Sequence, residues 1–446
     1  MTTRRNFIKN VAIGTAALSI EGMLPGVSAK SYAGIVGASE KISVAIVGVN
    51  SRGLALAMNY ARIESCQVIY ICDVDSRAIA KAIAEVEKIA GYRPKGEKDF
   101  RKMLESKDVD AVVIATPDHW HAPAAMLAMK AGKDVYLEKP CSYAPAEGEM
   151  LVDGASKYKR ILQMGNQRRS WPNVREGILA MKEGAIGDVY VGKAWYANNR
   201  ASIGAGKPAA VPDWLDWDLW QGPAPRREYK DNVVHYNWHW FWHWGTGEAL
   251  NNGTHMVDLL RWGMDLDYPS RVESSGGRYY YKDDWETPDT QIINIEFGGE
   301  KFLTWEGRSC SGRYVDGAST GCEFYGNKGT LFISGGDSYT LFDPKNRIIK
   351  EQNSQVTVDP RNLMNPAEQL DALHIQNFFD AIRKGAPLHS DIDSGHKSTL
   401  LVQLGNIAQR TGRPLHIDPE NGHILQDDQA AELWRRTYQP GWEMTL

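Results

Sequence analysis

Between residues 42 and 164, short apolar runs alternate with helical periods, and this alternation restricts the chain to few folds. Residues 42–48 (ISVAIVG) read as a buried strand, after which Leu54, Ala57, Met58 and Ala61 recur at helical spacing. Residues 67–72 (QVIYIC) read as a second strand, followed by Ile79, Ile83 and Val86 on one helix face. Residues 110–115 (DAVVIA) are the third. Helices across 122–131 and 147–158 and strands at 135–137 and 161–164 continue the series. Strands separated by helices pair in parallel through right-handed crossovers, so the expected class is α/β, with an N-terminal doubly wound parallel sheet of the Rossmann type over 41–165.

Past residue 184 the pattern changes. Strand-like runs at 189–196, 291–297, 301–305 and 322–325 have few helices between them, and 370–383 and 398–410 read as closing helices. A C-terminal α+β domain with a largely antiparallel open sheet is expected over 166–446, serving substrate binding and oligomerisation. The first 29 residues differ again. Thr3-Arg4-Arg5-Asn6-Phe7-Ile8-Lys9 precedes an apolar run at 11–20 and Val27-Ser28-Ala29, which reads as a removable twin-arginine export signal and implies a periplasmic or otherwise exported mature protein. The run is short for a bilayer span, so no membrane association is expected after signal removal. A net charge of -4 carries no basic footprint for nucleic acid, and a small uncharged substrate fits it better. Five scattered cysteines form neither a disulfide framework nor a zinc motif.

Gly48-Val49-Asn50-Ser51-Arg52-Gly53 follows the first strand as a G-x-N-x-x-G variant of the dinucleotide fingerprint. Gly48 permits the tight turn, Gly53 permits close packing, and the helix N-terminus offers amide donors to a pyrophosphate through Asn50, Ser51 and Arg52. Asp73 ends the second strand, where a carboxylate accepts from both adenosine ribose hydroxyls and repels a 2'-phosphate. That favours NAD. Arg52 and Arg77 keep NADP open, because a guanidinium grips such a phosphate. The Thr116-Pro117-Asp118-His119-Trp120-His121 loop and the Glu138-Lys139-Pro140 turn follow the next two strands, at the carboxyl edge where open parallel sheets bind ligands.

With these motifs, and with Gly165-Asn166-Gln167-Arg168 and Gly253-Thr254-His255 beyond them, the chain resembles the Gfo/Idh/MocA oxidoreductase family, named for glucose-fructose oxidoreductase and inositol dehydrogenase. The resemblance covers nearly everything after residue 40. It implies a bound NAD(P) contacted by Gly48, Asn50, Ser51, Arg52, Gly53, Asp73, Thr116, Pro117, His119, His121, Glu138, Lys139 and Asn166. It further implies Lys139 beside nicotinamide and substrate, His255 as acid/base, a cis Lys139-Pro140 bond and a homo-oligomer. Asn251 stands where many members carry Asp, and an amide is no proton acceptor.

Oxidation of an alcohol needs a hydride acceptor and a base for the hydroxyl proton. A neutral His255 suits that base, and Lys139 can stabilise developing alkoxide charge. Residues 235–245 (HYNWHWFWHWG) invite a metal reading through three histidines at four-residue spacing, which needs a helix. Alternating tryptophans favour an extended strand, in which the histidines lie roughly 13 Å apart and share no ion, so no metal is expected. Trp242 and His243, with Arg168 and Asn251, are then candidates for substrate contact, Trp238, Trp240, Trp242 and Trp244 offering flat surface to sugar CH groups. The preferred reading is an NAD(P)-dependent oxidoreductase of a sugar, glycoside or polyol. An NAD-dependent glycoside hydrolase working by transient oxidation and elimination, with tightly bound cofactor, is the alternative. Asn251 alone motivates a third, a non-catalytic sugar-binding protein.

Overall fold

The computed structural model describes residues 41–356 and 368–446, so the twin-arginine segment lies outside the described residues. In the first half, β1 (Ile42–Val47), α1 (Arg52–Arg62), β2 (Cys66–Cys72), α2 (Ser76–Ala90), β3 (Lys95–Glu97), α3 (Phe100–Leu104), β4 (Ala111–Ile114), α4 (Asp118–Lys130), β5 (Asp134–Leu137), α5 (Pro145–Tyr158) and β6 (Leu162–Met164) follow one another. All the strands pair in parallel, in the order β3-β2-β1-β4-β5-β6. The order reverses between β1 and β4, which opens a crevice at their carboxyl ends. Local chemistry agrees with the tertiary arrangement. Asp75 caps α2 by accepting from the Arg77 N–H, and Gly91 ends it at φ 73°.

The second half contains α6 (Pro172–Lys182), β7 (Val189–Ala197), α7 (Trp217–Gln221), α8 (Thr254–Gly263), β8 (Arg271–Gly277), β9 (Thr290–Phe297), β10 (Lys301–Arg308), β11 (Thr320–Gly326), β12 (Gly329–Ser334), β13 (Tyr339–Phe342) and β14 (Ile348–Gln352). It closes with α9 (Glu368–Lys384), α10 (Ile392–Thr411), β15 (Leu415–Ile417), β16 (Ile424–Leu425) and α11 (Asp428–Glu432). Ten strands form one sheet, β14-β13-β12-β11-β7-β10-β9-β8-β15-β16, antiparallel except where β10 meets β7. The expected fold class is borne out.

Helices α6, α8 and α10 bury Ile178, Leu260 and Leu404 with Ile293, Leu303 and Phe324 of this sheet in one apolar core. Helix α9 adds Leu370 to this core and reaches a second one. Its Ile375, Phe378 and Phe379 join the first sheet's core, with Phe379 edge-on to Tyr60 and Phe378 edge-on to Tyr136. A late helix thus braces the early sheet on the side of α1.

Residues 235–244 are not the extended strand the alternation predicted. Asn237–Trp240 is a short 3-10 turn, and the rings diverge instead of sharing a face. Trp240 stacks on Trp285 with centroids 3.9 Å apart, while Trp244 packs against Trp217 and Trp220. Burial of Trp240 and Trp244 in separate clusters outweighs the period-two preference.

Candidate functional site

One cavity of about 780 Å³ runs along the crevice and into the second half of the chain. At its first end the β1–α1 loop turns at Gly48, whose φ is 82° and where a Cβ would lie 2.7 Å from both the Ala115 oxygen and the Thr116 nitrogen. At Gly53 a Cβ would meet the Gly48 oxygen at 1.8 Å, so that side-chain-free approach is obligatory for helix packing. Asn50, Ser51 and Arg52 line the cavity, as do Asp73, Thr116, Pro117, His121, Glu138 and Lys139. Asp73 accepts the Val49 N–H at 2.6 Å and the Asp75 N–H at 2.9 Å, which holds both loops around its carboxylate. Burial raises its pKa, and the two N–H donors oppose that rise. His121 spans the Pro140 and Thr116 carbonyls at 2.6 and 2.8 Å, tying the loop after β4 to the turn after β5. The Lys139-Pro140 peptide is cis.

Neither arginine that kept NADP open is placed for a 2'-phosphate. Arg52 donates through Nε to Glu138 at 2.8 Å and through Nη1 to Asp371 of α9 at 2.6 Å. Arg77 pairs with Asp75 and lies 3.4 Å over the Trp214 ring, off the cavity wall. His119 does not line the cavity. It is fully buried, its Nε2 bonds the Trp220 oxygen at 2.9 Å, and burial pushes its pKa down to about 3. Its neighbour Trp120 lines the wall instead. Asn166 sits behind the wall, 2% exposed, with both amide atoms unpartnered.

At the other end Lys139 meets the Ala249–Gly253 stretch, a π-helical turn immediately before α8. The ammonium donates to the Asn251 main-chain oxygen at 2.5 Å and to Asn251 Oδ1 at 3.4 Å. Burial lowers the Lys139 pKa, which Glu138 and Asp118 partly counter. His255 lines the same cavity. Its Nδ1 is buried without a partner, and burial together with the Arg168 and Lys139 charges holds its pKa well below the ordinary histidine value. Arg168 is there too, donating to the Gly335 oxygen through Nε and Nη2 at 3.3 and 3.1 Å.

The sequence reading missed the carboxylate behind Asn251. Glu248, 3% exposed, accepts from the amides of Asn251 and Asn252 and pairs with Arg200. An Asn at 251 therefore reaches a cation with its oxygen and an anion with its nitrogen. Asp371 was missed as well, since nothing near it in sequence marks a site. Trp242 and His243, expected to contact substrate, do not line the cavity: His243 bonds the Pro225 oxygen at 2.7 Å, and Arg410 lies over Trp242. The 3-10 turn presents Tyr236, Trp238 and His239 to the cavity in their place. Among the described residues no group of His, Cys, Asp and Glu is arranged to hold a metal ion.

The segment 198–247 covers the cofactor end. Ser76 N donates to the Trp214 oxygen and Asp216 N to the Val74 oxygen, both at 3.0 Å, and His235 bonds Asp75 at 2.9 Å. Leu219 and Trp220 then lie on the wall, fixed by Trp120 Nε1. A C-terminal stretch fastens the cover from outside. Arg436 bonds Glu147 at 2.6 Å and the His119 oxygen at 2.7 Å, and Gln439 N donates to the Pro223 oxygen at 2.9 Å.

The residues present fit a dinucleotide. The cavity has the size of a ligand site, its turn glycines leave room for a pyrophosphate beside the α1 N-terminus, and Thr116 Oγ1, Asn166, Gln167 Oε1 and His255 Nδ1 are buried polar atoms without protein partners.

Residues 42–166 match the family model of the Gfo/Idh/MocA oxidoreductases, described as the NAD-binding Rossmann fold, and residues 191–444 match that of their C-terminal alpha/beta domain. The chain is 30% identical over 207 residues to a glycosyl hydrolase family 109 protein of Shewanella sp. (strain ANA-3), covering 43% of this chain and 45% of that protein. It is 29% identical over 254 residues to one of Saccharopolyspora erythraea, covering 51% and 55%. The chain thus spans about half the length of the curated relatives it matches. Its fold is shared with levoglucosan dehydrogenase, solved with NADH and levoglucosan (TM-score 0.64, 18% identity, 84% of this chain and 99% of that one). It is shared also with scyllo-inositol dehydrogenase from Lactobacillus casei, solved with NAD(H) and scyllo-inositol (TM-score 0.62, 19% identity, 84% and 99%).

Proposed function

The chain belongs to the Gfo/Idh/MocA oxidoreductase family, and from that premise we propose that it transfers hydride between NAD and a hydroxyl-bearing carbon of a sugar, glycoside or polyol. The observation that carries this reading is that Lys139 and His255, from the two halves of the chain, line the cavity that also holds the Gly48–Gly53 loop and Asp73. NAD supplies the hydride-accepting chemistry when bound; Asp73, Thr116 and the β1–α1 loop would hold it. His255, kept neutral by burial, takes the hydroxyl proton. Lys139 donates to the same oxygen as negative charge develops there, and its own lowered pKa makes proton exchange easier near neutrality. Arg168 and Asn251 orient the sugar.

The cofactor is tightly held in this reading, since its cover is hydrogen-bonded both to the Val74–Ser76 stretch after β2 and to Gln439 of the C-terminal stretch. Residues 1–29 export the folded protein, residues 41–165 bind the cofactor, and residues 166–446 bind substrate and form a homo-oligomer, to which exposed Tyr190 and Ile292 of the large sheet would contribute. A protein that retains its cofactor outside the cytoplasm needs a redox-neutral cycle, which in this reading is oxidation of a ring hydroxyl, loss of the aglycone, water addition and reduction; the glycosyl hydrolase name of the family 109 relatives supports it.

The test is to purify the protein, measure bound NAD(H) by absorbance and mass after denaturation, and add sugars, glycosides and inositols while following 340 nm absorbance and released aglycone. A ketosugar with reduced cofactor supports the dehydrogenase, released aglycone with unchanged cofactor supports the hydrolase, and neither product from any of the compounds rejects both.

A further inference from the structure

Tyr236 lines the cavity with 42% of its surface exposed and a backbone φ of 82°. A bulky residue rarely adopts that conformation, and such outliers persist only where surrounding contacts over-determine them. Here they do. Arg200 Nη1 donates to the Tyr236 hydroxyl at 2.9 Å, its guanidinium lies 5.3 Å from the ring, and His239 Nδ1 meets the Tyr236 oxygen at 2.5 Å. Arg200 is itself anchored by buried Glu248. The fold thus holds an apolar ring open on a cavity wall, where packing alone would bury it.

His239 adds a polar atom at the same place. Its Nδ1 can bond a carbonyl oxygen only as a donor, so in the neutral ring Nε2 carries the lone pair, and no described residue satisfies it. Stacking on Trp238, with centroids 3.6 Å apart, fixes the ring's direction. Burial pushes the His239 pKa down to about 3, so the ring is neutral at pH 7.

The turn is also linked to the reacting end. Tyr236 bonds Arg200, Arg200 bonds Glu248, Glu248 bonds Asn251, and Asn251 accepts from Lys139. We propose that the Tyr236–His239 turn is a second sugar subsite: the substrate is a glycoside whose outer pyranose stacks on Tyr236 and gives a hydroxyl hydrogen bond to His239 Nε2, while the inner ring reaches Lys139 and His255. This rests on the carbohydrate reading above.

The experiment compares methyl glycosides with β-linked disaccharides in the gluco, galacto and manno series. It measures kcat/KM from cofactor reduction or sugar release, and binding by tryptophan fluorescence and thermal shift in the NADH-loaded protein. The preferred disaccharide is expected to exceed its methyl glycoside at least tenfold, mainly through KM. Tyr236→Gly, a residue at ease at this φ, should collapse that ratio toward one; Tyr236→Phe should retain most of it, and His239→Phe should lower it while preserving stacking. A ratio near one in the wild type, or one unmoved by Tyr236→Gly, overturns the subsite. Disaccharide binding that depends on Tyr236 without any turnover would support the subsite while rejecting the enzymatic reading, and absence of both binding and turnover would overturn the subsite.

Discussion

Arg52 and Asp371 form an ion pair at 2.6 Å across 319 residues of sequence, with Glu138 on the same guanidinium at 2.8 Å. The pair lies against the cofactor cavity and joins the first turn of α1 to α9. Burial alone would lower the arginine pKa, but the two carboxylates raise it well above its ordinary value.

Asp371→Ala therefore leaves a buried guanidinium half paired. We expect a loss of about 3 kcal/mol in unfolding free energy, measured by denaturant titration with cofactor absent, together with weaker NAD binding. A loss under 1 kcal/mol would mean that Glu138 alone suffices.

Lys139→Met keeps the stem and removes the charge. Single-turnover hydride transfer should fall by about 10²–10⁴-fold, as should that of His255→Phe, with NAD affinity changed far less. Rates within tenfold of wild type would remove both residues from the proposed chemistry.

NAD should bind at least tenfold more tightly than NADP, because the Asp73 carboxylate faces the cavity and neither Arg52 nor Arg77 is free. Asp73→Ser should narrow that ratio. Calorimetric titration of both cofactors decides, and tighter NADP binding by the wild type would reverse the assignment.

Acid should destabilise the fold early. His119, His374 and His396 are buried, with pKa values pushed down to about 3, 4 and 4, whereas an unfolded histidine titrates near 6.5. Their contribution is complete above that unfolded value and is lost as pH falls below it, because the unfolded chain takes up protons first. Because the unfolded histidine is already half protonated at pH 6.5, each costs about 1 kcal/mol over the next unit, so the three together remove about 3 kcal/mol between pH 6.5 and 5.5. Unfolding free energies that do not fall over that interval would contradict these burials.

Arg436→Gln should shorten cofactor retention on gel filtration, with Arg436→Lys intermediate, since Arg436 ties Glu147 to the first turn of α4, which bears Trp120. Retention equal to wild type would show that the bonds of the 198–247 segment to Val74, Asp75 and Ser76 hold the cover unaided.

The parallel sheet was legible because each strand is a continuous apolar run followed by a helical period, and the turn glycines because backbone contact forbids a Cβ at 48 and 53. Six strands of the large sheet were not read, including β12 (GTLFIS) and β13 (YTLF), which are short and partly polar, with partners fixed only by the assembled sheet. The aromatic run 235–244 was recognised as unusual, yet its period indicated a strand. Which ring faces the cavity is decided by distant partners such as Trp285 and Arg200, which no local pattern contains. For the same reason Glu248 and Asp371 escaped notice, while Lys139 and His255 stood in motifs.

The fastening of the cofactor cover by Arg436 and Gln439 has a consequence for biosynthesis. The ribosome makes the whole parallel sheet, the 198–247 segment and α10 before it makes either residue. Until the C-terminal stretch docks, the outer wall of the nucleotide crevice lacks these ties, so the cover is fastened only by the last part of the chain to leave the ribosome.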